Sequence, residues 1–197
     1  MPKANIKDIR RRELVDATLT VLFDGGPDKA TMLRIGQQVG MSHGIVNYYF
    51  KTKEDLLLAA LQHSFETALE ECAASIERAN TPRQRLSAIV RSCFRETSFT
   101  REAASAWTAV YAQMPAHTEF ARLQRSFDDR LRAMLRLQLS ECVPSHNADL
   151  IAETIHALMD GIWLHRAKAD SEETAATAIA KVDALIDWAI AAHHAMK

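Results

Sequence analysis

Glycine and proline are scarce in this chain, six and five among 197 residues. So few breaks leave room for long uninterrupted helices, and no convincing strand lies between them. Cysteine is scarcer still. Cys72, Cys93 and Cys142 are odd in number and out of C-x-x-C spacing. They form neither a disulfide framework nor a zinc site, and read as reduced thiols of a cytosolic protein. No apolar run reaches membrane-spanning length, and the charged opening "MPKANIKDIRRRELVDATL" lacks the apolar stretch of a signal peptide. The expected location is therefore cytoplasmic. Neither sign of charge dominates: 24 Lys/Arg face 25 Asp/Glu, for a net charge of −1. That excludes an all-over basic coat but says nothing of local patches. Ser-His-Asp spacing, a glycine-rich phosphate loop and a nucleophile elbow are all missing, so no catalysis and no cofactor is read.

The chain is 48% hydrophobic and 25% charged, an ordinary globular balance. Alanine, leucine, arginine and glutamate recur throughout, and all favour helix. Punctuation divides the chain into about nine helices, an all-α fold. The first runs from about residue 5 to 24, stopped by Gly25-Gly26-Pro27. Thr31 caps a short second helix ended by Gly40, and Ser42 caps a third closing near Phe50. Thr52 and Asp55 form a capping box, T-x-x-D, opening a long fourth helix to about Asn80. Thr81-Pro82 restarts the chain as cap plus first-turn proline. Pro115 and Pro144 interrupt later helices, and Asp170 with Glu173 reads as another capping box before the last one. The expected division is a helix-turn-helix unit over 1–52 and a larger ligand-binding and dimerisation bundle over 53–197.

Residues 31–50 have the spacing of a helix-turn-helix: two runs of about eight residues joined at Gly40. Ile35, Val39, Val46 and Phe50 can pack the pair against the first helix. Ser42, His43, Asn47 and Tyr48 then project outward, where a DNA groove would meet them. Ser42 sits at a helix start, where free backbone N–H groups favour a phosphate. Asn suits adenine edges, and His or Tyr can reach bases or phosphates. Tyr49, Lys51 and Lys53 follow at the helix exit and could anchor the backbone. Charge agrees in sign, since residues 1–55 carry +2 and the remainder −3.

The stretch "TMLRIGQQVGMSHGIVNYYFKTKEDL" resembles the signature of the TetR-type transcriptional repressors, "T-x-x-x-I-A-x-x-A-G-V-S-x-G-x-L-Y-x-H-F-x-x-K-x-x-L". Thr31, Ile35, Gly40, Ser42, Gly44, Phe50, Lys53 and Leu56 fall in register. The resemblance implies phosphate contacts at Thr31, Ser42, Tyr49 and Lys53, and variable reading positions at His43, Asn47 and Tyr48. Two departures stand out. Gly36 replaces a small alanine, which should loosen its helix by under about 1 kcal/mol, and Asn47 replaces a frequent tyrosine. Further along, "AASAWTAVYAQMPAHTEFARLQRSFDDRLRAML" and "HALMDGIWLHRA" are similar to the BetI type. Its members repress glycine-betaine synthesis genes and respond to choline, so the resemblance implies a dimeric repressor, a palindromic operator and a small-molecule inducer.

A repressor of that plan needs a sensing site. Trp107 and Tyr111 lie four apart on one helical face, and Asp160 and Trp163 three apart on another. Should those faces meet, they form an aromatic box with one carboxylate, suited to a quaternary ammonium at roughly 0.5–2 kcal/mol per ring. Aromatics at this spacing equally serve as plain core. The helices expected over 145–168 and 171–195 form an antiparallel pair, with Leu158, Trp163, Leu185, Ile186 and Trp188 as interface or core. Rival readings are a regulator of another small cationic or amphipathic ligand, a dimeric scaffold that has lost DNA binding, and a helical di-metal enzyme built on Glu153-x-x-His156. No other histidine is preceded by an acid at that spacing, and no metal site is expected.

Overall fold

The computed structural model describes residues 5–113 and 116–195. Among these, nine helices run in order: α1 Ile6–Lys29, α2 Met32–Gln38, α3 His43–Tyr49, α4 Lys53–Glu77, α5 Pro82–Cys93, α6 Arg101–Gln113, α7 Thr118–Leu139, α8 Ser145–Arg166 and α9 Ala175–Ala195. Pro115 lies outside the described residues.

Most helix starts follow local chemistry. The side chains of Thr31, Ser42, Thr52 and Thr81 each accept a hydrogen bond from a backbone N–H of the first turn, and Thr52–Asp55 is a full capping box. Two expectations need correction, while Gly25-Gly26-Pro27 does interrupt the first helix as expected. Gly26 takes a φ of 75°, and Pro27, fixed near helical φ, starts one more turn as far as Lys29. The fourth helix stops at Glu77. Asp170 and Glu173 do not cap the last helix. Thr174 does, exchanging bonds with Thr177: its Oγ1 accepts from the Thr177 N–H at 3.1 Å, and its own N–H donates to Thr177 Oγ1 at 2.9 Å. Glu173 turns inward to Lys181 instead.

Two apolar clusters hold the chain. The first gathers Leu14, Val21 and Leu22 of α1, Ile35 of α2, Val46 of α3 and Leu56, Leu57, Ala60 and Leu61 of α4. It also takes in Ala106 and Val110 of α6 and Phe120 of α7. The second joins Cys72 of α4 to α5, α7, α8 and α9 through Leu86, Ile89, Leu135, Leu139, Ile155, Val182 and Ile186, all buried. Helices α4 and α7 thus contribute to both clusters, and α6, buried against the head, also packs on α8 of the bundle. An aromatic run crosses the same boundary. Trp107 stacks on Phe65 at 5.3 Å between ring centroids and lies 6.2 Å from Phe23. Phe65 in turn stacks on Phe127 at 4.4 Å, linking α1, α6, α4 and α7. Arg83 of α5 ties down α9 by bonds to Asp187 at 2.5 and 3.1 Å and to Asp183 at 2.9 Å.

Candidate nucleic-acid interface and ligand recess

The turn between α2 and α3 is built by glycines. Gly40 takes a φ of 67°, open to glycine at no steric cost. Gly36 is crowded: a Cβ there would fall 2.7 Å from the Met41 carbonyl oxygen, and the Met41 N–H bonds the Gly36 carbonyl at 2.8 Å. The departure at this position therefore seats the turn closely against α2, and does more than loosen a helix. Val46 is fully buried, which turns the opposite side of α3 outward. Ser42, His43 and Tyr48 are exposed there, with Asn47 and Tyr49 half-buried beside them.

Thr31 and Lys51 are exposed as well. Thr31 Oγ1 accepts from the Arg34 N–H at 3.2 Å, and Ser42 Oγ from the Ile45 N–H at 3.4 Å. Lys53 is engaged elsewhere. Its Nζ donates to the Pro27 carbonyl at 2.6 Å, clipping the start of α4 to the bend of α1. Two basic side chains absent from the sequence candidates join this surface. Lys7 Nζ sits 5.5 Å from the centre of the Tyr48 ring, and the Arg11 guanidinium 4.7 Å from that of Phe50. Tyr48 also meets Tyr49 edge-on at 5.1 Å. The basic run at the start of α1 is visible in the charge count, but only folding lays it against α3.

In the bundle, the four candidates for a ligand box divide. Trp163 meets the edge of Phe99 at 4.9 Å and stacks near Phe94 at 6.5 Å, in the bundle core. Trp107 is half-buried in the aromatic run between α1 and α4. Tyr111 and Asp160 stand on helices that pack together, α6 and α8, near enough for the Asp160 charge to act on the Tyr111 phenol. Tyr111 is 42% exposed and the Asp160 side chain 58% exposed. Yet loss of hydration is the leading cause that raises both groups above their ordinary ranges. We take the partly open crease where α6 packs on α8, beside these two groups, as the candidate ligand recess. Asp160 and Asp128 push the Tyr111 phenol up further. At Asp160, the His156 charge opposes the desolvation and Asp128 adds to it.

The sequence reading missed the polar floor of this recess. His156 is only 7% exposed, with Nε2 3.4 Å from Asp128 Oδ1 and Nδ1 3.5 Å from Asp160 Oδ2. Its hydrogen bond to Asp128 and then the Asp160 charge raise it above the ordinary imidazole value of 6.5, against the opposing cost of burial. Gln124 Nε2 donates to Asp128 Oδ1 at 2.7 Å. Helical spacing carried a signal for His156 beside Asp160, four apart on α8, but none for the rest. Gln124 and Asp128 sit on α7, remote in sequence from both, and only the packing of α7 on α8 joins them. Glu153, by contrast, is exposed and takes no part, so the E-x-x-H pair is split. Among the described residues no group of three or more His, Cys, Asp or Glu side chains could hold a metal ion.

Comparison with known proteins gives this geometry its context. Residues 14–60 match the model of the bacterial regulatory proteins of the tetR family, and residues 82–191 that of the BetI-type transcriptional repressor C-terminal domain. The HTH-type transcriptional regulator BetI of Rhizobium meliloti is 35% identical over 166 residues, 84% of this chain and 82% of that protein. The protein of the same name from Pectobacterium carotovorum is 35% identical over 170 residues, 85% of this chain and 87% of its own. Among solved structures, a TetR transcription regulator from Haloarcula marismortui superposes with a TM-score of 0.81 at 22% identity, covering 91% of this chain and 97% of that one. A protein of Saccharomonospora viridis, crystallised in complex with choline, superposes with a TM-score of 0.79 at 20% identity, over 91% and 96%. The helix-turn-helix head, the helical bundle behind it and these matches over both halves make the chain a member of the TetR family of transcriptional regulators, of the BetI type.

Proposed function

We propose that this protein is a homodimeric repressor that binds a palindromic operator through α3 and is modulated by choline or a related quaternary ammonium, in control of glycine betaine synthesis. In this reading Thr31, Ser42, Tyr49, Lys51 and Lys53 meet phosphates, and His43, Asn47 and Tyr48 face the groove. Lys53 does so only by sharing or leaving its bond to Pro27. Residues 1–52 form the reading head, and 53–197 the sensing and pairing part.

The observation that carries the reading is that α6 serves both halves. Tyr111 feels the Asp160 charge from α6, while Ala106 and Val110 of the same helix are buried against the head. A cation drawn between Tyr111 and Asp160 would bear on α6 and, through Trp107 and Phe23, on α1. It shifts the protein between operator-fitting and misfitting states only by its different affinity for the two. The structure of the Saccharomonospora viridis protein with choline adds support for that ligand class.

Pairing is supported by two uncovered apolar stripes. On α8, Leu150, Thr154, Ala157, Gly161 and Leu164 are all exposed at helical spacing. On α9 the matching run is Ala180, Ala184, Trp188 and Ala191, with Trp188 70% exposed. A Cβ added at Gly161 meets nothing within this chain, so the need for a glycine there would come from a partner helix. Paired through these faces, two copies present their recognition helices to successive major grooves, about 34–36 Å apart.

The test is binding of the purified protein to its own upstream intergenic DNA, with and without millimolar choline, across a salt series. A salt-sensitive dimer complex altered by choline is the expected result. A complex indifferent to choline removes the ligand from the proposal, and no complex at any salt removes the operator.

A further inference from the structure

We infer that His156 is a resident counter-cation that fixes the ligand of the recess at a single positive charge; this rests on the reading of the recess as a cation site. The ring itself is the starting point. Each of its nitrogens faces a carboxylate oxygen, Asp128 Oδ1 at 3.4 Å and Asp160 Oδ2 at 3.5 Å. A neutral imidazole would leave one nitrogen's lone pair beside a carboxylate, whereas the imidazolium is attracted to both.

The charges facing this point can be named element by element. Asp128 of α7 and Asp160 of α8 are negative, and His156 is positive. Arg132 of α7 also acts on His156, but it is held by Asp129 at 2.6 Å. Tyr111 of α6 stays a neutral phenol, since desolvation and both carboxylates raise it. Cys93 of α5 stays a neutral thiol, pushed up to about 12 chiefly by burial. Two carboxylates and one imidazolium therefore leave one uncompensated negative charge, matched by one ligand charge. A second positive charge would meet the imidazolium as a like charge.

Independent of charge, Gln124 points to a ligand. It is 6% exposed, its Nε2 is committed to Asp128, and its Oε1 is buried without a hydrogen-bond partner. Buried polar atoms are ordinarily bonded, and this one is an acceptor beside the carboxylate pair. A cation that also carries a hydroxyl or N–H donor would satisfy it.

The experiment compares choline with (2-aminoethyl)trimethylammonium, its near-isostere with an ammonium in place of the hydroxyl. Calorimetric titration of the full-length protein at about pH 6, where that amine is protonated, gives the ratio of affinities. The wild type is expected to favour choline by about tenfold, and His156→Gln to move the ratio about tenfold toward the dication. An unchanged ratio in the folded variant overturns the inference and leaves the cation site standing. Binding of neither cation by the wild type overturns the cation reading itself, and this inference with it. Should His156→Gln not fold, NMR titration of the ligand-free wild type and of Asp160→Asn decides the resident charge. His156 is expected to titrate above 6.5 in the wild type and lower in Asp160→Asn. A wild-type value at or below 6.5, or one that Asp160→Asn leaves unmoved, overturns it.

Discussion

The head carries its candidate side chains on the outside of one seven-residue helix and its flanks, whereas the bundle gathers its own in a recess between three long helices. Outward groups such as His43 and Tyr48 cost the fold little, because water solvates them until a partner arrives. The recess groups are different. His156 and Asp160 lose hydration, and the opposite charge of each partly offsets that cost for the other. A head can therefore change what it reads by surface substitution, while a change in the recess disturbs charge balance and packing together. Between them, α6 and the Phe23–Trp107–Phe65–Phe127 run are shared by both regions, so neither is independent of the other.

That contrast can be broken or sharpened by substitution. The largest effect is expected from Gly161→Arg, on the exposed stripe of α8. Sedimentation should find monomers, and operator affinity should fall by about a hundredfold or more, since the second half-site no longer binds in the same complex. Thermal unfolding of the monomer should stay nearly unchanged, because the new side chain meets nothing within the chain. In the head, Asn47→Ala should alter which operator sequences are preferred, costing about 1–3 kcal/mol at the base pair it reads. Lys51→Ala should instead weaken all sequences alike and lower the salt slope by about 1. Site-selection and salt titrations separate the two. Lys53→Ala, unlike Lys51→Ala, should also lower thermal stability, because it unclips α4 from Pro27.

In the recess, Asp160→Asn is expected to reduce choline affinity by about tenfold, while operator binding of the ligand-free protein is unaffected. Equal loss of both functions would mean that recess and head are not separable sites. The smallest effect concerns pH. The folded protein holds the His156 proton more tightly than the unfolded chain, so the cluster contributes fully below 6.5 and loses its contribution as pH rises through the higher folded-state value. Denaturant titrations should show stability declining over that window in the wild type, and this decline absent in His156→Gln.

Much of the head was legible in the sequence because its determinants are local. Thr31, Ser42 and Thr52 each cap the helix that begins at the next residue, Gly40 makes the turn, and the apolar spacing of Ile35, Val46 and Phe50 marks the inner face. Family membership followed from the same contiguous stretch. Legibility failed where two local choices competed. Asp170-x-x-Glu173 has capping-box spacing, but Thr174 lies closer to the start of α9, and Lys181 holds Glu173 instead. Gly25-Gly26-Pro27, a local signal, did end the continuous helix, and Pro27 opens one further turn to Lys29.

By itself, the sequence determined an all-α chain, its helix starts and the outward face of α3, because capping and periodicity act within a few residues. Only the tertiary structure decided where Trp107, Tyr111, Asp160 and Trp163 stand relative to one another. It packed Trp163 against the bundle core, put Tyr111 within reach of the Asp160 charge, and set His156 between Asp160 and the distant Asp128. Helical spacing fixes which residues share a face, but which faces meet depends on how all nine described helices fill space together.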